Sequence, residues 1–216
     1  MTPFAMAMLF GASCAAPLNW CAVAGRPGLA RLEEIAKPLT LAFLVLAALA
    51  ADPPPHHAAA RTILVAGLVF SLLGDVALLP RIDQFIGGLC AFLLAHIAYV
   101  AAGLDIGVHP DGAIIGAVVV VAAMAVLAPR IGRAVHTGPD PSLLGPVLAY
   151  MAVISAMVVV AFGTGRPVFA AGAALFYASD AQLAWNRFVR SDTRLELGCI
   201  VTYHVGQVLL LVGVLA

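Results

Sequence analysis

Eight long apolar runs, separated by short clusters of charged, proline and glycine residues, set the pattern of this chain. A helix needs about 17–25 such residues to cross a bilayer. The runs predict helices over roughly 4–24, 37–51, 62–79, 84–103, 112–128, 142–162, 167–185 and 197–215, by the periodic-run rule. The first is expected to be irregular around Pro17 and Asn19. The second is short, and "DPPPHH" at 52–57 ends it, because proline removes donors and blocks helix continuation. No loop is long enough for a soluble domain. The expectation is one all-α transmembrane domain over residues 1–216, a bundle of eight helices.

Composition agrees. Of 216 residues 63% are hydrophobic and 10% charged, against about 45–50% and about 25% in soluble domains. The formal net charge is zero, which gives no basis for a nucleic-acid partner. Cys14, Cys21, Cys90 and Cys199 all lie in apolar stretches, unlike a secreted disulfide framework. No basic residue precedes "FAMAMLF", so the first run reads as a span rather than a signal peptide.

Charge also orients the chain. Odd-numbered loops carry Arg26, Arg31, Lys37, Arg81, Arg130, Arg133, Arg187, Arg190 and Arg194; even-numbered loops carry only Arg61 and Arg166. Positive residues concentrate on the cytoplasmic side. Odd loops are therefore expected in the cytoplasm and both termini on the non-cytoplasmic side. The expected location is the bacterial inner (plasma) membrane, with the site toward its cytoplasmic half.

Asp75 and Asp180 are the two acids clearly inside the runs. A charged residue at mid-membrane costs about 2.5–3.5 kcal/mol on insertion scales, and such residues mark functional sites. Asp75 precedes Arg81 and Asp180 precedes Arg187 by similar spacings. At 1.5 Å per residue both lie about 9–11 Å inside the cytoplasmic boundary. Tyr203, His204 and Gln207 share one face of helix eight. Lys37 and Thr40 open helix two, and His96 with Tyr99 marks helix four. Helices five and six offer almost nothing polar and read as scaffold.

Five stretches carry a resemblance: "KPLT" at 37–40, "SLLGDVALL" at 71–79, "FIGGLCAFLLAHIAYV" at 85–100, "SDAQLAWNRF" at 179–188 and "TYHVGQ" at 202–207. In that order they resemble the YhhN-like integral membrane lysoplasmalogenases. Members often carry a second tyrosine where this chain has His204. The resemblance implies hydrolysis of the vinyl ether bond of lysoplasmalogens, giving a fatty aldehyde and glycerophosphoethanolamine or glycerophosphocholine. It implies a lysophospholipid substrate entering from the membrane, and water, as partners.

Vinyl ether hydrolysis proceeds by proton transfer to carbon and capture of an oxocarbenium-like ion by water. An acid–carboxylate pair serves such chemistry in glycosidases. Asp75 and Asp180 are the expected catalytic pair. Lys37, Thr40, His96, Tyr99, Asn186, Arg187, Tyr203, His204 and Gln207 are the expected substrate-binding residues. No metal and no cofactor is expected, and the oligomeric state is left open. Two alternatives stand beside this reading. One is a metal-dependent intramembrane lipid hydrolase using His96, His204 and one aspartate. The other is a small transporter or proton-relay protein.

Overall fold

The computed structural model describes residues 1–25 and 28–215. Its helices are α1 (Pro3–Val23), α2 (Ala30–Ala50), α3 (Ala58–Ala77), α4 (Phe85–Ile106), α5 (Pro110–His136), α6 (Leu144–Gly163), α7 (Pro167–Ala184) and α8 (Thr193–Leu215). No strand occurs among the described residues. Arg26, counted above in the first loop, lies outside them.

Helix starts follow local chemistry. Pro3, Pro110 and Pro167 occupy first helical positions, where the missing N–H has no helical partner to lose. Thr2 caps α1 by accepting from the Ala5 N–H at 3.1 Å, and its hydroxyl donates to Ala50 O at 2.8 Å. That ties the start of α1 to the end of α2.

Four expectations about helix shape change. α1 runs unbroken through Pro17. α2 is not short: it spans 21 residues and begins at Ala30, with Pro38 inside it. The charged stretch "RLEE" forms its first turns, so the apolar run marks only part of the helix. α5 continues to His136 and takes Pro129 into its interior. α7 passes into a π-helical stretch, Trp185–Val189, closed by Arg190 N–H donating to Trp185 O at 3.0 Å.

Consecutive helices pair: α1 with α2, α3 with α4, α5 with α6, and α7 with α8. Contacts of α1, α2 and α3 with α8 join the two ends of the chain. The α7–α8 seam is packed backbone to backbone. A Cβ added at Gly172 would sit 2.6 Å from Leu210 N, and one at Gly213 would sit 2.5 Å from Phe169 N. Small residues let membrane helices approach backbone to backbone in this way.

Among the described residues six helices, α1, α3, α4, α5, α6 and α8, are long and apolar enough to cross a membrane, α3 and α6 together with the short turns before them. α2 and α7 fall below that measure because they carry Arg31, Glu33, Glu34 and Lys37, and Ser179, Asp180 and Gln182. The outer face of α5 exposes Ile114, Ile115, Val118 and Val121 at 57–67%. These features fit an integral membrane protein.

Candidate active site

The polar groups that α2 and α7 carry are met by partners from four other helices. Asp75, in the last turn of α3, is 1% exposed. Its Oδ2 accepts from the Tyr203 hydroxyl of α8 at 2.9 Å. Lys37 Nζ of α2 lies 3.5 Å from its Oδ1. The cation expected at the membrane edge is thus Asp75's ion-pair partner.

Asp180, on α7, has a separate set. Its Oδ2 accepts from the Tyr150 hydroxyl of α6 at 2.5 Å. His96 Nε2 of α4 lies 3.6 Å from the same oxygen. His96 Nδ1 meets Phe92 O at 2.5 Å. A carbonyl can only accept, so Nδ1 carries the proton and the bare Nε2 faces Asp180. α6 is therefore more than scaffold, which corrects the expectation for that helix.

A third group joins α3, α4 and α8. The Tyr99 hydroxyl donates to Gln207 Oε1 at 2.8 Å and lies 3.1 Å from Ser71 Oγ. Phe176 of α7, fully buried, packs among these groups. Its ring centroid is 4.7 Å from His96, 5.2 Å from Tyr203 and 6.2 Å from both Tyr99 and Phe92. One rigid aromatic side chain thus spaces the Asp75 and Asp180 groups.

Two adjoining cavities reach this region. A narrow crevice, partly open to the outside, is lined by Phe92, Tyr150, Ile154, Asp180 and other mainly apolar residues. A larger vestibule, about 1840 Å³ including open space, is lined by Glu33, Lys37, Asn186, Arg187 and Glu196 among others. Leu78, Phe85 and Leu183 line both, so the cavities meet at those side chains. Asp75 lines neither; it stands behind Lys37.

The remaining expected residues divide. Arg187 lines the vestibule, pairs with Asp83 at 3.2 Å and lies 4.9 Å from the Phe85 ring centre. Asn186 lines it too, but its Oδ1 accepts from the Asp192 N–H at 2.7 Å and so holds the turn into α8. Thr40 turns onto its own helix and donates to Ala36 O at 2.8 Å. His204 Nδ1 accepts from Trp20 Nε1 of α1 at 3.1 Å. Tyr150, Phe176, Ser71 and Trp20 escaped the sequence reading. Each sits in an apolar run, where an aromatic residue or a small hydroxyl reads as packing; the lone tyrosine of α6 was the one available signal.

Among the described residues, no group of three or more His, Cys, Asp and Glu side chains is placed to hold a metal ion. The set His96, His204 and one aspartate is not assembled: His96 faces Asp180 and His204 faces Trp20. The four cysteines are free.

A sequence model of the YhhN family matches residues 32–214. The chain belongs to the YhhN family. Two relatives named lysoplasmalogenase, from Mycobacterium bovis and Mycobacterium tuberculosis, are each 32% identical to this YhhN protein over 182 residues, covering 81% of this chain and 67% of theirs. No solved structure matches.

Proposed function

We propose that this YhhN protein hydrolyses the vinyl ether bond of lysoplasmalogens, releasing a fatty aldehyde and a glycerophospho-ethanolamine or -choline. The observation that carries the reading is Asp180 in the wall of an apolar crevice that adjoins a polar vestibule. A lysolipid has the same two parts. Its phosphate belongs near Lys37 and Arg187, its chain in the crevice, and its vinyl ether where the two meet. The names of the mycobacterial relatives support the same substrate.

Asp180 is the proton donor in this mechanism. It faces the crevice, and the groups beside its Oδ2 are the Tyr150 hydroxyl and His96 Nε2 rather than a permanent cation. It protonates the chain carbon next to the ether carbon, and the positive charge spreads over the ether carbon and oxygen. Water adds to that carbon, and its surplus proton returns to Asp180 directly or through His96 Nε2. The resulting hemiacetal breaks to the aldehyde and the glycerol hydroxyl. Asp75 pairs with Lys37 and holds that cation at the vestibule wall, where it meets the substrate phosphate. No step uses a cofactor or metal.

The protein is read as a single membrane domain with all eight helices crossing the bilayer. Both termini lie outside, and the vestibule opens to the cytoplasmic side of the bacterial inner membrane. The arginine distribution supports that orientation. The test is an assay of purified protein for aldehyde release from an alkenyl lysophospholipid. Absence of aldehyde in a folded preparation would refute the reading.

A further inference from the structure

The matched segment begins at residue 32, beyond the end of α1 at Val23, yet α1 reaches the candidate site. Trp20 Nε1–H donates to His204 Nδ1. An indole N–H can only donate, so Nδ1 is the bare nitrogen and the proton of the neutral ring sits on Nε2. His204 is 1% exposed, and its Nε2 meets no protein acceptor. His96 is fixed the opposite way, with its bare Nε2 facing Asp180.

Gln207 repeats the arrangement three residues on. Its Oε1 accepts from Tyr99, while its fully buried Nε2 has no acceptor. Residues three apart share a helix face. The neighbouring Tyr203 holds Asp75, whose Oδ1 has no hydrogen-bond donor beyond the Lys37 ion pair. This stretch of α8 lies one turn deeper than Ile200, which lines the vestibule. Two N–H donors without a protein acceptor thus share one face of α8, and Asp75, with a free carboxylate oxygen, is bonded to the residue next to His204. A hydroxyl group is the complement: its oxygen accepts twice and its proton is donated once.

We propose that Trp20 is a positioning residue that locks His204 as the Nε2–H tautomer, so that His204 and Gln207 bind the free glycerol hydroxyl of the lysolipid beside Asp75. The proposal rests on the substrate reading above and gives it a basis for choosing a lysolipid over one acylated at that hydroxyl. An esterified oxygen has no proton for Asp75 and adds bulk at a closed position.

The test uses full-length protein in detergent micelles and a lysolipid paired with its 2-deoxy analogue. Nitrogen-15 histidine NMR of the unmutated protein should show His204 protonated on Nε2 alone, its resonance identified by loss in His204→Gln. Trp20→Phe keeps an aromatic ring without the N–H and should give a mixture of tautomers. It should lower kcat/KM about tenfold on the lysolipid, the usual effect of losing one hydrogen bond, and less than about twofold on the 2-deoxy analogue. His204→Gln, whose amide offers a donor at the Nε2 position without help, should be insensitive to Trp20→Phe. A His204 protonated on Nδ1 in the unmutated protein, or equal losses on both lipids, overturns the proposal. If neither lipid is turned over, the substrate reading fails separately. The His204 Nε2 resonance must then still move with lysophosphatidylcholine and not with its 2-deoxy analogue, and no such difference overturns the subsite.

Discussion

At the scale of the residue, Asp75 and Asp180 hold different partners, and the proposed mechanism gives them different roles. Asp180→Asn keeps size but cannot deliver a proton, and turnover should fall by about 10²–10⁴-fold, the range for removing a general acid. Asp75→Asn should fall into the same range through loss of charge. Tyr150→Phe removes one donor to Asp180 and leaves the carboxyl, so its loss should be near tenfold. Rates of aldehyde release by membrane-inserted variants check all three; a Tyr150→Phe rate as low as that of Asp180→Asn would make the tyrosine, rather than the aspartate, the central group. Thr40→Val is the contrasting case. Its hydroxyl proton is spent on Ala36 O and so is not offered to a substrate, and activity should stay within about threefold, the scale of one modest hydrogen bond. The aspartates were legible in the sequence because an acid in an apolar run is expensive. Their partners were half legible. Lys37 and Tyr203 stood out as polar, whereas Tyr150 and Trp20 did not, because an aromatic residue in such a run is compatible with plain packing.

At the scale of the element, the α7–α8 seam fixes the distance between the helix carrying Asp180 and the helix carrying Tyr203, His204 and Gln207. Gly172 and Gly206 face each other there, and a Cβ at Gly172 would lie 2.6 Å from Leu210 N and 2.9 Å from Gly206 O. Backbone atoms cannot step aside as a side chain can. Gly172→Ala should therefore destabilise the protein by about 1–3 kcal/mol, the range for overpacking, seen as a lower Tm in detergent, with turnover falling as the helices part. An unchanged Tm would mean that the seam is looser than described. Run length made the eight helices legible, since a long apolar run reads as a helix even where, as in α2 and α7, its polar residues keep it below the measure for a span. The real start of α2 did not, because its first turns are charged and Lys37-Pro38 looks like a beginning. Pro38 sits inside the helix all the same. The π-helical stretch after α7 has no hydropathy signature, and it decides where Asn186 and Arg187 stand.

At the scale of the whole molecule, the arrangement suits the two parts of its proposed substrate: a polar vestibule, an adjoining apolar crevice, and an acid in the crevice wall. The arginine bias predicts that a reporter active only in the cytoplasm stays silent when fused to the C-terminus; robust signal there would reverse the orientation and put the vestibule on the outer side. The central claim is that the chemistry is protonation of an alkene carbon by Asp180. Purified protein is offered three lysophospholipids alike in chain length and head group, joined at the first glycerol carbon by a vinyl ether, a saturated alkyl ether or an ester. A saturated ether has no alkene carbon to protonate, and an ester calls for a nucleophile and an oxyanion hole. The vinyl ether should give fatty aldehyde, and the other two should not be cleaved. Cleavage of the ester at a comparable rate, or no aldehyde from the vinyl ether, would contradict it.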